Sequence, residues 1–327
     1  MKAFITGIAG FAGSHLADHL LSLGHEVSGL ILKGAGADNL KRIADRVTLR
    51  EGDILEPGGL RAILEETAPD WVFHLAALSS VPASWQRPAH TFEVNAMGGI
   101  RILETCRNLE KPPLLAVVSS SEVHGRIPPS GVLTEDAPFA PENPYAVSKL
   151  ALDLMADQYA RAPERPLRVI RLRPRNHAGP RQETGFVVSD FAKQVAEIEA
   201  GRREPVIRVG NLEARRDFTD VRDIVRAYVL AAERGESGEA YLICTGKTRR
   251  IGDILGILLS LSRERIGVEA DPAKRRPSDL DHPATPPAKL EKATGWRPEI
   301  PLEKTLADTL DDWRARVRAG GAERASG

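Results

Sequence analysis

A serine, a tyrosine and a lysine in the middle of the chain have types and spacing that suit proton transfer. Tyr145 and Lys149 lie four positions apart in NPYAVSK, so they share one face of a predicted helix over 145–160. A nearby ammonium favours the phenolate, so the sequence predicts that Lys149 lowers the pKa of Tyr145. Ser120, in SSSEVHG, would hydrogen-bond the oxygen with which Tyr145 exchanges a proton. This chemistry fits oxidation of an alcohol or reduction of a ketone.

Glu122 follows Ser120 by two positions and adds a second possible reaction. A carboxylate beside the tyrosine can remove a proton from the carbon next to a ketone, as elimination of water requires. Reduction of a ketone needs no such base. The spacing therefore leaves Glu122 open as either a catalytic base or a bystander.

A glycine-rich turn, TGIAGFAG over 6–13, joins a predicted strand to a predicted helix. Gly7 can make the tight turn, Gly10 lets the backbone approach a pyrophosphate, and Gly13 lets the helix pack closely. The helix N-terminus offers free N–H groups to phosphates, so the turn predicts a dinucleotide site. The alternatives are a plain strand-to-helix turn or a vestigial cofactor site. The predicted cofactor residues of this turn are Gly7, Gly10, Phe11, Ala12 and Gly13.

The end of the second predicted strand bears on which nicotinamide cofactor is bound. EVSGLIL, over 26–32, ends without the acidic residue that would bind the ribose 2′-hydroxyl of NAD, and Lys33 follows. Lys33 can face a 2′-phosphate, so the sequence favours NADP(H) and leaves NAD(H) open; a solvated surface lysine is the alternative. Asp53, with its neighbour Ile54, follows the third strand where it can meet the adenine, or it is a helix N-cap in the turn before Pro57.

Short apolar strands alternate with helices through residue 174, the pattern of a parallel sheet with helices on both faces. The predicted fold class is α/β, a doubly wound parallel sheet of Rossmann type with a smaller, discontinuous C-terminal α/β lobe. We predict the dinucleotide-binding domain over 1–174 and about 217–246, the lobe over about 175–216 and 247–318, and a flexible tail over 319–327. The predicted strands are 2–7, 26–32, 47–53, 70–77, 114–121 and 167–173, and the predicted helices are 13–24, 57–68, 95–109 and 145–160.

Composition argues against several classes of protein. Lys and Arg number 45, as do Asp and Glu, so no basic face for nucleic acid is indicated. Cys106 and Cys244 lie far apart without metal-ligand spacing, so we expect free thiols, no metal and a reducing compartment. The first residues already form a strand without a signal peptide, and no apolar run approaches the ~18 residues of a membrane helix. We therefore expect a cytoplasmic protein without nucleic-acid or membrane partners.

Five motifs taken together resemble the extended short-chain dehydrogenase/reductases that act on nucleotide sugars: TGIAGFAG, HLAA, VN, SSSE and YAVSK. The resemblance covers nearly the whole chain and implies that Ser120, Tyr145 and Lys149 are the catalytic set. It also implies a homodimer in which helices 95–109 and 145–160 pair into a four-helix bundle. The further cofactor-groove residues that it implies are Leu75, Ala76, Ala77, Asn95 and His177.

The second half of the chain is similar to enzymes of GDP-sugars in RNHAGP, GFVVSDFAKQ, VGNLEARRDFTDVRDIVRAY and RRPSD. Because the fork of arginine suits phosphate oxygens, Arg216 and Arg276 are expected to bind a diphosphate, although each could be solvated or form a local ion pair. The chain departs from the family at Arg175, where an aromatic residue usually precedes the asparagine. This cation either binds substrate phosphate or pairs with a carboxylate. The predicted substrate-binding residues are Ser80, Asn176, Lys193, Arg216, Arg276 and Asp279.

The resemblance implies reduction of the C4 ketone of GDP-4-keto-6-deoxy-D-mannose to GDP-D-rhamnose by NAD(P)H. The alternatives are a GDP-mannose 4,6-dehydratase with Glu122 as its C5 base, or another nucleotide-sugar epimerase or dehydratase. SSSE occurs in reductases and dehydratases, so Glu122 does not separate them. The stretch LKGAGADNL carries one lysine in place of the Arg- and Ser-rich loop of tetrameric dehydratases, which favours the reductase. A cofactor-sensing protein without turnover commonly loses the tyrosine or lysine that this chain keeps.

Overall fold

The structure, a computed structural model, describes residues 1–126, 131–272 and 283–325. Its largest element is a seven-stranded sheet in which all neighbouring strands are parallel. The strands are β1 (Lys2–Thr6), β2 (Glu26–Ile31), β3 (Val47–Glu51), β4 (Trp71–His74), β5 (Leu114–Val118), β6 (Val169–Pro174) and β10 (Ala240–Ile243). Their order is β3-β2-β1-β4-β5-β6-β10, and the winding reverses between β1 and β4. The predicted α/β, doubly wound parallel fold is confirmed.

Helices cover both faces of this sheet because each carries an apolar stripe at helical spacing. Leu16 and Leu20 pack against one face, and Leu60 and Leu64 pack against the other. The helices of the first part of the chain are α1 (Phe11–Ser22), α2 (Pro57–Thr67), α3 (Val81–Gln86), α4 (Pro88–Phe92), α5 (Gly98–Arg107) and α6 (Pro144–Ala160), with a π-helical turn at Glu93–Met97 and 3₁₀ turns at Asp38–Leu40 and Ser121–His124.

Two strands end three residues earlier than the sequence predicts. β4 ends at His74, paired with Thr6, and β5 ends at Val118, paired with Leu172. Apolar residues continue after β4, whereas three serines follow β5, and in both places the strand pairing ends. The released residues form loops at the carboxyl edge of the sheet, where doubly wound folds bind ligands.

The lobe is built from two small sheets and helices around a second apolar core. The strands are β7 (Asn176–Ala178), β8 (Val206–Val209), β9 (Arg215–Asp220), β11 (Thr248–Arg250) and β12 (Gly267–Ala270), and the helices are α7 (Val187–Glu199), α9 (Ile251–Ser260) and α11 (Leu302–Ala325).

Between the lobe segments, the chain returns twice to the first domain. The predicted division assigns about 217–246 to this domain; there, helix α8 (Val221–Arg234) packs against α1 and β10 pairs with β6 in the main sheet. A later part differs from that division, because Leu290 of α10 (Ala288–Thr294) and Trp296 belong to the core around α1 and α8. The indole N–H of Trp296 donates to Asp223 O over 3.0 Å.

The predicted tail also differs from the structure in its described part. Helix α11 continues through Ala325, whereas the sequence predicts a tail from residue 319. The added residues are mainly Ala, Glu and Arg, which favour helix and offset the adjacent glycines. Among the described helices, none combines the length and apolarity that crossing a bilayer would need.

Candidate active site

The glycine loop between β1 and α1 approaches neighbouring backbone so closely that side chains are excluded. Gly7 has a φ of 74°, and a Cβ there would lie 3.0 Å from Ala76 N. A Cβ on Gly13 would lie 2.1 Å from Gly7 O. Gly10, the N-cap residue, has no side chain to cap α1. The first N–H groups of α1 therefore remain available to phosphate, so the loop fits a dinucleotide.

Thr6 and His74 fix the loop after β4 against the glycine loop. Thr6 Oγ1 accepts from Ala76 N–H over 3.2 Å and lies 2.8 Å from His74 Nδ1, while Leu75 N–H donates to Thr6 O over 3.2 Å. Burial, with a smaller contribution from the nearby Lys149 ammonium, lowers the pKa of His74 to about 3, so the imidazole is neutral. These contacts fix the loop after β4, which forms one wall of the predicted cofactor groove.

Asn95 holds the same loop against the helix that carries Tyr145. Its amide N–H groups donate to Leu78 O and Ser148 Oγ, both over 3.0 Å, and its Oδ1 accepts from Leu78 N–H over 2.7 Å. Ser148 Oγ donates to Tyr145 O over 2.7 Å. Asn95 is fully buried, and its bonds fix Leu78, the residue that directly follows the partly buried Leu75, Ala76 and Ala77.

The predicted adenine end of the groove contains Lys33, Asp53 and Ile54. Lys33 is exposed just beyond β2. Asp53 Oδ1 accepts from Leu55 N–H over 2.8 Å, so the carboxylate stabilises the turn before α2, and the N-cap residue of that helix is Glu56 rather than Asp53. Ile54 packs its side chain into the core, so a contact between Ile54 and a cofactor would use the main chain.

Ser120 and Tyr145 are hydrogen-bonded to each other at the carboxyl edge of the sheet. Ser120 Oγ also accepts from Glu122 N–H over 3.2 Å, in the turn that follows β5. Burial raises the pKa of Tyr145 to about 12 and outweighs the opposite effect of the Ser120 bond. The phenol is therefore protonated at neutral pH and can donate to an oxygen that gains negative charge.

Lys149 lies one helical turn after Tyr145, on the same face of α6. The Lys149 ammonium donates to Val118 O over 2.8 Å, and burial lowers the pKa of Lys149 to about 8. Ser120 is the group that lowers the pKa of Tyr145, and burial raises that pKa overall. The shared helix face is correct, but the carbonyl at the end of β5 holds the ammonium.

Glu122 is a partly buried carboxyl group at the meeting of the two domains. Burial raises its pKa, while the charge of Arg216, a hydrogen bond with Asn143 and the charge of Arg175 act in the opposite direction. Arg216 belongs to β9 of the lobe, so the structure brings this predicted phosphate ligand within electrostatic reach of Glu122. Asn143 Oδ1 also caps α6 by accepting from Ala146 N–H over 2.8 Å.

Phe11 and His177 join the glycine loop to the lobe. Their rings stack with centroids 5.8 Å apart and planes 10° from parallel. Burial lowers the pKa of His177, whose Nδ1 lies 3.1 Å from Arg175 O. Asn176, the preceding residue, is exposed. The two predicted residues Phe11 and His177 therefore come together beside the start of α1, where they close the groove between the domains.

Two other predicted substrate residues form local contacts. Ser80 caps α3 by accepting from Ala83 N–H over 3.3 Å. The Lys193 ammonium lies 2.9 Å from Glu197, one turn along α7, which is the local ion pair that the sequence leaves open. Arg276 and Asp279 lie outside the described residues.

Two residues near the site are absent from the sequence prediction. Asn143 could have been found, because an asparagine directly before a proline at a helix start is a typical N-cap. Thr285 has no comparable local signal, because its side chain contacts Leu133 and Arg175 from far along the chain. Across the described residues, no cluster of three or more His, Cys, Asp or Glu side chains could hold a metal ion.

The sheet order, the glycine loop and the Ser120, Tyr145 and Lys149 set define an extended short-chain dehydrogenase/reductase. A family model described as GDP-mannose 4,6 dehydratase matches residues 4–309, and the chain belongs to that family. The chain is 31% identical over 318 residues to GDP-6-deoxy-D-mannose reductase of Pseudomonas aeruginosa, with 97% of this chain and 98% of the relative covered.

Two solved structures extend the comparison. RMD from Pseudomonas aeruginosa, complexed with NADPH, superposes with a TM-score of 0.83 at 30% identity and covers 96% of this chain and 99% of its own. UDP-glucose 4-epimerase of Thermus thermophilus, in complex with NAD, gives a TM-score of 0.84 at 30% identity, with 96% and 99% covered. Relatives with this fold therefore bind either nicotinamide cofactor.

Proposed function

We propose that the protein reduces the C4 ketone of GDP-4-keto-6-deoxy-D-mannose to GDP-D-rhamnose, with NADPH as the preferred cofactor and NADH as a second one. The observation that carries the proposal is the hydrogen bond between Tyr145 and Ser120 beside the cofactor groove. The identity to GDP-6-deoxy-D-mannose reductase over almost the full length of both chains supports the substrate class. The structural similarity to RMD with NADPH supports the cofactor.

The residues of the glycine loop fit the pyrophosphate of the cofactor. The uncapped start of α1 offers N–H groups to phosphate, and the close contact of Gly7 with Ala76 forms the groove floor. Lys33 is exposed beyond β2, where its charge would favour a 2′-phosphate. When bound, the reduced nicotinamide supplies the hydride that the substrate C4 accepts.

Tyr145 supplies the proton in this reaction. Its hydroxyl proton passes to the C4 oxygen as the ketone becomes an alcohol, which leaves a phenolate that takes up a proton from solvent afterwards. Ser120 positions the substrate oxygen and stabilises the charge that develops on it. Lys149, held at Val118 O, is mainly protonated at neutral pH, since its pKa is about 8, and its charge favours this transfer.

The lobe would bind the nucleotide diphosphate. Arg216 is the first candidate for a phosphate ligand, because it extends from β9 toward the side of the pocket that contains Glu122. Asn176 is exposed beside His177 and is available to the sugar or the pyrophosphate. Ser80, Lys193, Arg276 and Asp279 stay sequence predictions for this role.

A GDP-mannose 4,6-dehydratase is the second candidate, favoured by the position of Glu122. Its carboxyl group adjoins the Ser120 and Tyr145 pair, and burial raises its pKa toward the range of an effective general base. Such an enzyme would convert GDP-mannose to the 4-keto-6-deoxy sugar without net consumption of NADPH. Glu122 would then remove the C5 proton.

A homodimer through a four-helix bundle is a further part of the proposal. Trp85, Phe92, Met97, Val147 and Leu154 each expose 40% or more of their surface. Val147 and Leu154 share one face of α6, and Trp85, Phe92 and Val147 line a surface cavity of about 460 Å³. An exposed apolar face of this kind is typical of an interaction surface. Light scattering of Leu154→Glu should show a shift from dimer to monomer.

A cytoplasmic location is also proposed. Cys106 and Cys244 are both buried free thiols, and burial raises the pKa of each to about 12. Free thiols of this kind fit a reducing compartment. Fractionation of cells that express the full chain would test the location.

The test of the main proposal mixes the protein, NADPH and GDP-4-keto-6-deoxy-D-mannose and follows the loss of reduced-nicotinamide absorbance. We expect rapid oxidation, and a fall in kcat of roughly 10²- to 10⁴-fold in Tyr145→Phe with cofactor binding retained. NMR of the product would identify the configuration at C4. Oxidation of neither NADPH nor NADH would reject the reductase. Formation of the keto sugar from GDP-mannose would then support the dehydratase, and cofactor binding without either reaction would indicate a sensor.

A further inference from the structure

Residues 283–286 cross the carboxyl edge of the main sheet just before α10. Thr285, in this segment, is fully buried. Its Oγ1 accepts from Leu133 N–H over 3.2 Å, and its carbonyl oxygen accepts from Cys244 Sγ over 3.0 Å. Leu133 lies in the chain segment between β5 and α6, and Cys244 directly follows β10, so Thr285 joins two loops at the ligand-binding edge of the sheet.

Arg175 adds a third contact from the end of β6. Its Nη1 donates to Pro283 O over 2.7 Å and its Nη2 to Thr285 Oγ1 over 3.3 Å. Only 4% of the residue is exposed, and Nε has no hydrogen-bond partner. The guanidinium forms no salt bridge with a described carboxylate. Of the two roles that the sequence leaves open for Arg175, pairing with a carboxylate is therefore not observed among the described residues. A buried cation without a bonded carboxylate is unfavourable for stability, which points to a role in the adjacent pocket.

The charge of Arg175 reaches both sides of that pocket. It lowers the pKa of Glu122 and the pKa of Asp217, although burial raises each pKa overall. Glu122 lies at the reaction end beside Ser120, and Asp217 follows Arg216 on β9 of the lobe. Arg175 is therefore within electrostatic reach of carboxyl groups on both domains.

We propose that Arg175 is a positioning residue for the substrate, because it fixes segment 283–286 across the ends of β5, β6 and β10. The segment then forms a rigid wall of the pocket between Ser120 and Arg216. The identity of the substrate in this inference rests on the proposed function. A loosened wall weakens binding of the ground state and the transition state alike, so KM should rise while kcat is retained.

The test uses steady-state kinetics of Arg175→Met, Arg175→Lys and Thr285→Val. We expect Arg175→Met to raise KM for the GDP-sugar by roughly tenfold, the effect of one charge-assisted hydrogen bond, while kcat stays within about threefold and KM for NADPH is unchanged. Arg175→Lys should partly rescue KM. Thr285→Val should also raise KM, and adding it to Arg175→Met should have little further effect, because both remove the same contact.

Arg314 provides a matched control. Its guanidinium bonds Glu199 and Leu261 O inside the lobe, away from the edge of the sheet. Arg314→Met should lower the melting temperature without changing KM for the sugar nucleotide. Equal KM effects in Arg314→Met and Arg175→Met would overturn the inference, because the effect would then follow from lost stability alone.

Further outcomes separate this inference from the proposed reaction. If the wild-type protein does not reduce the ketone but binds GDP in a calorimeter, weaker GDP binding by Arg175→Met than by Arg314→Met still supports the inference. Equal GDP affinity in wild type and Arg175→Met would overturn it, as would an unchanged KM in an active enzyme. If Arg175→Met does not fold, Arg175→Lys and Thr285→Val decide the question by the same KM criterion. No GDP binding by the wild type would reject both the inference and the substrate class.

Discussion

The cofactor groove and the substrate pocket are built by different means. In the groove, main chain lies against main chain, as between Gly7 and Ala76, and small buried side chains such as Thr6 and Asn95 fix the loops. In the pocket, the charge comes from long side chains of distant parts of the chain, Arg175 after β6 and Arg216 on β9. Backbone contacts tolerate little change, whereas long side chains can be exchanged without a change of fold. Specificity can therefore vary in the pocket while the groove is kept.

The largest effect is expected from Gly13→Ala in the groove. The added Cβ would lie 2.1 Å from Gly7 O, so the glycine loop must move. We expect the affinity for NADPH to fall by roughly 100-fold or more, measured by quenching of protein fluorescence. Gly59→Ala is the matched control, since its Cβ would meet no atom within 4 Å and should leave the affinity unchanged. An unchanged affinity in Gly13→Ala would show that backbone contact does not define the groove.

A smaller effect is expected in the pocket from Arg216→Met. Loss of a guanidinium that binds phosphate should raise KM for the GDP-sugar by roughly 10- to 50-fold, with a smaller effect on kcat. Arg215→Met is the control, because neighbouring residues of a strand point to opposite faces and Arg215 is exposed. Equal KM values for the two variants would argue against Arg216 as a phosphate ligand.

Glu122→Gln should separate the reductase from the dehydratase. A reductase should keep kcat within about threefold, whereas a dehydratase should lose roughly 10²- to 10⁴-fold with its C5 base. The measurement is the turnover of GDP-4-keto-6-deoxy-D-mannose and of GDP-mannose by the purified variant.

The same variant should change the dependence of stability on pH. Because burial raises the pKa of Glu122, the folded protein holds the proton more tightly than the unfolded chain does. Glu122 therefore lowers stability as pH rises from its ordinary pKa of 4.5 toward the higher folded value. Melting curves should show that the melting temperature of Glu122→Gln rises relative to that of wild type over this pH interval, by about 1–3 °C. A constant difference in melting temperature would contradict the raised pKa.

The smallest effect is expected from Lys33→Ala at the edge of the groove. An exposed lysine contributes little to binding, so KM for NADPH should rise by roughly two- to fivefold at low salt and less at high salt. KM for NADH should not change, because NADH lacks the 2′-phosphate. Equal effects on both cofactors would mean that Lys33 does not contact that phosphate.

Much of the groove could be predicted because its determinants are local in the chain. The glycine spacing, the helical spacing of Tyr145 and Lys149, and the alternation of strands and helices each concern residues within one or two elements. The glycine loop, Tyr145 and Lys149 therefore lie at one edge of the sheet. The role of Asn95 was not predicted in detail, because its bonds to Leu78 and Ser148 cross between elements.

The pocket was harder to predict because its contacts join distant parts of the chain. Thr285 meets Arg175 across 110 positions, and nothing in the residues around either one indicates the contact. The effect of Lys149 on the pKa of Tyr145 stays a prediction for a similar reason. Spacing on a helix gives proximity, but burial and the competing acceptor Val118 O depend on how the sheet packs against that helix.

The interleaving of the two domains has a consequence for how the chain folds during synthesis. The first core needs β10 and also Trp296, which follows the glycine loop at a long distance along the chain. The ribosome must therefore synthesise the chain through Trp296 before that core can close, and contacts of such long range form slowly. We expect nascent chains that stop before residue 296 to be protease-sensitive and to recruit chaperones, even though they already contain every residue of the glycine loop.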